Sequence, residues 1–406
     1  MPDHAPSRFL DPTTPPKVLT LTLLAGISAL SMNIFLPSLP SMAAWFDAPY
    51  AFMQLSVALY LALSAALQIV IGPISDRFGR RKVVLGAMVL FLLATIGVLL
   101  APTAEAFIAF RMAQAVIAAG MVLSRAIVRD MVSDAEAASM IGYVTMGMSL
   151  VPMIGPVIGG VLDEIWGWQA SFAFLLVSGV LVTILCWRDL GETSTPSGLG
   201  LAAQVAQYPR LLTSQRFWGY SLSAALASGC FFAYLGGAPF VGTQIFGLTS
   251  SQIGALFALT AVGYAAGNFL AGRYSIRMGM NRMVLVGTMV TTLACLFLVL
   301  VSMSGLMGPF WFFGLTLFMG LGNGISLPNS NAGILSVRPE LAGTASGLGG
   351  AIVIGGGAAL AALAGALMTP GATELPLAIL MLVTSIGSVI AILWVMRRAR
   401  QLGLAG

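Results

Sequence analysis

The stretch Gly72-Pro73-Ile74-Ser75-Asp76-Arg77-Phe78-Gly79-Arg80-Arg81-Lys82 returns, altered, as Gly272-Arg273-Tyr274-Ser275-Ile276-Arg277-Met278-Gly279-Met280-Asn281-Arg282. The offset is 200 residues, and Gly, Ser, Arg and Gly match in register. Each copy follows the second apolar run of its half. A basic connection repeated at this distance divides the chain into two related halves. Parallel repeats of this kind imply a pseudo-two-fold axis along the membrane normal, a cavity between the halves, and alternating access by one half rocking on the other.

Apolar runs flank both copies. Of 406 residues, 8% are charged and 58% hydrophobic, with mean hydropathy +0.96. That is too little charge to cover a water-soluble surface, while runs of about 20 apolar residues suffice to cross a roughly 30 Å hydrocarbon core. The pattern predicts helices near 18–37, 51–71, 83–100, 106–128, 138–162 and 168–187, then 217–235, 252–271, 283–302, 309–325 (extendable to 335), 343–367 and 375–396. The expected fold is an all-α membrane protein of twelve transmembrane helices in two pseudo-symmetric six-helix bundles. Its parts are a disordered cytoplasmic tail (1–16), an N-terminal bundle (17–190), a cytoplasmic linker (191–215), a C-terminal bundle (216–398) and a short tail (399–406).

Charge orients this bundle. With the N-terminus inside, 18 of the 19 Lys and Arg residues fall on the cytoplasmic side, and the remaining one, Arg111, falls within a helix. Such a bias predicts a multi-pass membrane protein with both termini cytoplasmic. The net charge of +5 is thereby assigned to the lipid bilayer and not to nucleic acid. The single histidine, His4, lies in a Pro-rich tail that lacks the form of a cleaved signal peptide. Cys186, Cys230 and Cys295 sit singly in apolar runs, without disulfide or metal spacing. No metal and no cofactor are expected. No P-loop Gly-x-x-x-x-Gly-Lys-Ser/Thr occurs, so ATP is not implied, and no residue set for an enzyme's chemistry can be assembled.

The segment Gly72–Lys82 resembles motif A of the major facilitator superfamily. Arg111-Met112-Ala113-Gln114-Ala115 resembles its motif B. Gly142, followed by Val151 (where a glycine is usual) and Gly155-Pro156-Val157-Ile158-Gly159-Gly160, resembles the motif C of its antiporters. Arg125-Ala126-Ile127-Val128-Arg129-Asp130 and Gly167-Trp168-Gln169 look like the bicyclomycin/chloramphenicol resistance (Bcr/CflA) branch of drug exporters. The resemblance implies efflux of small amphipathic compounds in exchange for protons. In Ser31-Met32-Asn33-Ile34-Phe35-Leu36-Pro37, that branch commonly has an aspartate at the position of Asn33. An asparagine cannot ionise, though it still donates and accepts hydrogen bonds. No other carboxylate lies at a helix centre.

Each motif also has a physical reading. Gly72 and Gly79 permit a tight connection; Asp76, among Arg77, Arg80 and Arg81, is either a gate latch or a solvated loop acid. Pro152 and Pro156 remove backbone donors in helix 5, and Gly142, Gly155, Gly159 and Gly160 permit close packing: a hinge or seal, or ordinary helix contact. Arg111 costs roughly 2.5–3.5 kcal/mol to insert near a helix centre. It either snorkels to the outer interface or serves as a fixed charge tuning proton or substrate binding. Arg111, Gln114, Ala118, Arg125 and Arg129 share one helical stripe, which favours the second reading. Gln54, Tyr60, Gln68, Asn268 and Asn323 are weaker cavity candidates, for each of which hydrogen bonding between helices is the favoured role. Asn323, Asn329 and Asn331 around Pro328 predict a local irregularity in helix 10. Two other functions stay open: uptake or exchange of a small metabolite, and a transport-inactive receptor or assembly protein.

Overall fold

The computed structural model describes residues 8–131, 140, 144, 151, 154–193, 208–338 and 341–403. Among them, eleven helices are long and apolar enough to cross a membrane. They are α1 (Val18–Trp45), α2 (Tyr50–Phe78), α3 (Arg80–Leu99), α4 (Ala104–Val128), α6 (Gln169–Asp189), α7 (Gln215–Ile245), α8 (Ser250–Met278), α9 (Met280–Met303), α10 (Pro309–Ser336), α11 (Thr344–Leu367) and α12 (Leu375–Gln401). The described part of α5 is helical over 154–166. Gly142 and Pro152 lie outside the described residues.

The helices form because apolar surroundings leave backbone N–H and C=O groups no partner outside their own segment. α3 shows how sequence then selects a face. Val84, Ala87, Met88, Phe91, Thr95 and Val98 are buried at helical spacing, whereas Leu90, Leu93 and Ile96 on its other side are exposed. A continuous exposed apolar surface of this kind needs lipid as its solvent.

Each half packs within itself: α3 on α6 and α1 on α4 in the first, α8 and α9 on α10 in the second. The halves meet where α2 lies along α11 and where α5 approaches α8. Arg77, Arg80, Arg188, Arg277 and Arg398 mark one end of the bundle, here called the basic end. At the opposite end the halves are tied together. Tyr50 Oη donates to the Gly236 carbonyl at 2.8 Å. Gln54 Nε2 reaches the Ala361 carbonyl at 3.4 Å. Asp163, buried, accepts from Ser41 of α1 at 2.8 Å and from Ser250 of α8.

Several sequence expectations change. The repeated motif is mostly helix: α2 continues through Pro73 to Phe78 and α8 to Met278. The turn in each half is a single glycine, Gly79 at φ +95° and Gly279 at φ +83°. Gly72 is therefore not a turn residue, and a side chain there would meet nothing within 4 Å. α10 runs unbroken past Pro328 to Ser336, without the expected irregularity at Asn323, Asn329 and Asn331. Asn329 satisfies itself on the Ile325 carbonyl one turn back, at 2.9 Å. Gly320 and Gly324 let α10 press onto the α8 backbone at Thr260 and Tyr264.

Residues 8–16, the described part of the expected tail, make defined contacts with the bundle. The backbone N–H groups of Leu10 and Lys17 donate to the Asp189 carboxylate at 2.7 and 3.0 Å, and Thr20 Oγ1 adds a third bond at 2.6 Å. Asp189 is fully buried, so an acid from the end of α6 satisfies the start of α1. Within the expected linker, Tyr208–Leu212 is a short helix. Two of the isolated cysteines prove to be neighbours: Cys230 and Cys295 are buried and free, with sulfurs 3.7 Å apart.

Candidate functional site

The charge-bearing site is built where α1 stops being a regular helix. Pro37 has no N–H to give the Asn33 carbonyl. The α-helix accordingly ends at Asn33, and a tighter 3-10 turn covers Leu36–Ser38. Asn33 returns its side-chain Nδ2 to the Ala29 carbonyl at 2.9 Å. α4 is interrupted too, though without a proline: its α-helical part ends at Ala113 and a 3-10 turn spans Gln114–Ile117. The simple stripe of Arg111, Gln114, Ala118, Arg125 and Arg129 is broken by that turn.

Arg111 is fully buried and does not snorkel. Its Nη1 donates to Ser31 Oγ at 3.1 Å and to Gln114 Oε1 at 2.8 Å, while Nη2 donates to the Ser31 carbonyl at 2.6 Å. Gln114 Nε2 passes the network on to Thr95 Oγ1 of α3 at 2.7 Å. Tyr60 Oη donates to Ser31 Oγ at 3.3 Å. The guanidinium carbon lies 3.9 Å from the Tyr60 ring centre and 4.5 Å from that of Phe35. Aromatic faces stabilise a desolvated cation by about 2 kcal/mol or more. One arginine thus gathers α1, α2, α3 and α4.

Beside it lies a narrow recess of about 10 Å³, room for a single water molecule, lined by Met32, Asn33, Leu36, Val57, Tyr60, Leu61, Arg111, Phe232 and Leu235. Phe232 and Leu235 belong to α7, so both halves contribute to the wall. Arg111, Asn33 and Tyr60 are brought together here; the other candidates are not. Gln54 is buried against Gly236 and Gly365 and acts as a peg between α2 and the second half. Gln68 approaches Gly350 of α11. Asn268 bonds its own helix at the Tyr264 carbonyl, 2.9 Å, and Asn323 is buried in α10 with Oδ1 unpartnered.

The motif A cluster stands at the basic end with Arg80 at its hub. Arg80 pairs with Asp76 one turn earlier on the chain and with Asp130 of the α4 extension at 3.0 Å. It also reaches Ser75. Glu192 accepts from the backbone N–H groups of Arg80 and Arg81 at 2.8 and 3.3 Å, capping α3. Arg81 bonds the Trp187 carbonyl at 2.8 Å. Arg77 is exposed, its guanidinium 5.4 Å from the Phe78 ring. Arg125 is half-buried; the Arg129 side chain lies outside the description. In motif C, a side chain at Gly159 would overlap the Ile34 carbonyl of α1, and one at Gly160 the Ser250 carbonyl of α8. The Pro156 carbonyl in turn abuts Gly254. These glycines are where α5 touches α1 and the second half.

The sequence did not single out Ser31, Thr95, Phe35, Asp163, Asp189 or Glu192. Thr95 had a signal, as the one hydroxyl in the apolar run 83–100. Asp189 and Glu192 had none, because their partners lie far off in sequence.

Comparison with known proteins follows the same lines. The chain matches the family model of the Major Facilitator Superfamily over residues 21–351 and 239–405. It is 31% identical over 313 residues, 73% of each chain, to a chloramphenicol resistance protein of Pseudomonas aeruginosa. It is 28% identical over 378 residues to Multidrug resistance protein D of Escherichia coli (strain K12), covering 93% of this chain and 94% of that one. The D-xylose-proton symporter crystal structure shares the fold at TM-score 0.75 and 16% identity, over 93% of this chain and 96% of that one. Repeated halves, membrane-spanning helices and a family match along nearly the whole length agree: the chain belongs to the major facilitator superfamily.

Proposed function

We propose that this protein exports small amphipathic compounds across the bacterial inner membrane by alternating access, in exchange for protons. In this reading both termini lie in the cytoplasm, which the gathering of basic residues at one end supports. The halves 17–190 and 216–398 are the rocking bodies, and the Arg80-centred cluster is the gate element at the cytoplasmic mouth. The observation that carries the reading is the recess between the halves, walled by apolar side chains from α1, α2 and α7 around a buried arginine. A scaffold or receptor has no use for an intramembrane cation that is costly to insert. The relatives named for chloramphenicol and multidrug resistance supply the substrate class.

The test uses everted membrane vesicles with an imposed pH gradient, challenged in turn with chloramphenicol-class and cationic drugs. Arg111→Ala vesicles are the control. Dissipation of the gradient by a drug only with the intact protein is the expected result. Drug accumulation that leaves the gradient untouched keeps export and removes proton exchange. Asn33, standing where an acid is usual, gives weight to a second reading, exchange of a small metabolite; absence of movement for every drug would favour it.

A further inference from the structure

The outer flanks of the two halves end in the same way. On α3, Lys82, Gly86, Val89 and Leu93 follow one another at helical spacing and are all exposed. On α6, which packs against α3, the exposed row is Val177, Leu181, Ile184 and Arg188. Two hundred residues after the first row, Arg282, Val286, Met289 and Leu293 repeat it on α9, again exposed throughout. The neighbour of α9 is α12, with Val383, Ile386, Ile390, Leu393 and Arg397 in its exposed row. Each half therefore presents a seam between two packed helices, apolar along its length, with one cation from each helix at the basic end. An exposed tryptophan accompanies each seam: Trp187 beside Arg188, and Trp394 about one turn before Arg397. Tryptophan settles at the level of the lipid headgroups.

The helix ends that carry these cations are held close. Arg81 Nη2 on the Trp187 carbonyl, at 2.8 Å, joins the start of α3 to the end of α6. In the second half, Val284 of α9 and Val395 of α12 share one buried cluster near the corresponding ends. The four cations themselves are uncommitted: among the described residues the ion pairs belong to Arg80, and no hydrogen bond engages the side chain of Lys82, Arg188, Arg282 or Arg397. The acids nearest in sequence are occupied. Asp189 is buried on Leu10, Lys17 and Thr20, and Glu192 caps α3. A long basic side chain at the end of a lipid-facing row lays its stem along apolar surface and its charge at the headgroups, and basic sites between helices at that level suit anionic lipids.

We propose that each seam binds one anionic phospholipid. Its phosphate is shared by Lys82 and Arg188 in the first half and by Arg282 and Arg397 in the second, while its acyl chains lie along the two apolar rows. Phosphatidylglycerol is the simplest such lipid. A zwitterionic lipid offers the same chains, but its own cation offsets the phosphate, so charge sets the preference. The sites stand on the outer flanks, away from the recess, and do not depend on what the protein transports. A lipid bridging α3 and α6, or α9 and α12, ties together two helices of one half and leaves the boundary between halves free. In the first half it also sits two residues from Arg80, on the flank of the motif A cluster.

The test is native mass spectrometry of the purified full-length protein in detergent, titrated with dioleoyl phosphatidylglycerol or dioleoyl phosphatidylcholine. The intact protein is expected to retain two molecules of phosphatidylglycerol, bound about 10-fold or more tightly than phosphatidylcholine. Lys82→Gln with Arg188→Gln should remove one of the two, Arg282→Gln with Arg397→Gln the other, and the fourfold variant both. Arg210→Gln with Arg273→Gln takes the same charge from exposed positions off the seams and should leave both lipids bound. All these side chains are exposed, and a variant of one seam keeps the other as an internal reference should folding suffer. Equal retention of the two lipids by the intact protein overturns the proposal, as does retention of both phosphatidylglycerols by the fourfold variant. An equal loss in the Arg210 and Arg273 control overturns it too, because general positive charge, and not the seams, would then hold the lipid.

Discussion

At the scale of single residues, burial turns small chemical differences into large effects. Arg111 makes three hydrogen bonds and two aromatic contacts in a site closed to water. Arg111→Ala is expected to abolish transport while the purified protein keeps its thermal unfolding midpoint within a few degrees; full transport would refute the assigned role. Ser31→Ala removes the Oγ acceptor but leaves the Ser31 carbonyl, so transport should fall several-fold and not to zero. The glycines of motifs A and C separate in the same way. A methyl at Gly159 would collide with the backbone carbonyl of Ile34, which cannot move without displacing α1. Gly159→Ala should cost about 1–3 kcal/mol. Gly72 faces open space inside a helix, and Gly72→Ala should change stability by less than about 1 kcal/mol, with helix propensity on its side. Thermal unfolding in detergent measures both, and similar losses for the two would contradict the packing account.

Between elements, two carboxylates far from the recess act as joints. Asp163 ties α5 to α1 and, through Ser250, to α8 in the other half. Asp163→Ala should loosen the closure at the end opposite the basic residues. In that background a Leu36→Cys thiol, buried in the recess wall, should react faster with an impermeant maleimide added from that side. Unchanged labelling would mean that the glycine contacts of α5 and the Tyr50–Gly236 bond hold the closure alone. Asp189 holds Leu10, Lys17 and Thr20 with no exposed surface of its own. Leaving those donors unsatisfied costs about 1–3 kcal/mol each where they stay buried. Asp189→Ala should therefore lower the unfolding midpoint and speed tryptic cleavage after Arg8 and Lys17. Wild-type cleavage rates would show that the tail is held by other contacts.

For the molecule as a whole, the exposed Leu, Ile, Val and Phe of α3, α6, α9 and α12 form its outer surface, and basic residues gather at one end. Under the proposed reading, that asymmetry puts the basic end in the cytoplasm. A fluorescent protein fused after Gly406 should be bright, and a phosphatase that folds only outside the cytoplasm should be inactive at the same place; the reverse pair of results would invert the topology. The halves touch through α2 with α11 and α5 with α8, where glycines and polar pegs such as Gln54 sit beside apolar side chains shared by both halves. Small interlocking contacts of this type suit surfaces that must part and meet again, as rocking requires.

The sequence by itself determined the membrane class, the two-half plan, the span count and the placing of Arg111 inside an apolar run, because hydropathy, a repeated motif and a charge among apolar residues are local properties of the chain. Only the tertiary structure showed that Arg111 is sandwiched by Phe35 and Tyr60 and bonded to Ser31. Tertiary contacts likewise made Arg80 the hub of motif A and docked the N-terminal segment on Asp189. Each of those depends on a partner brought close by packing. Thr20 and Asp189 are 169 positions apart and share a hydrogen bond of 2.6 Å; no pattern along the chain encodes that distance, because helix packing, and not sequence spacing, sets it.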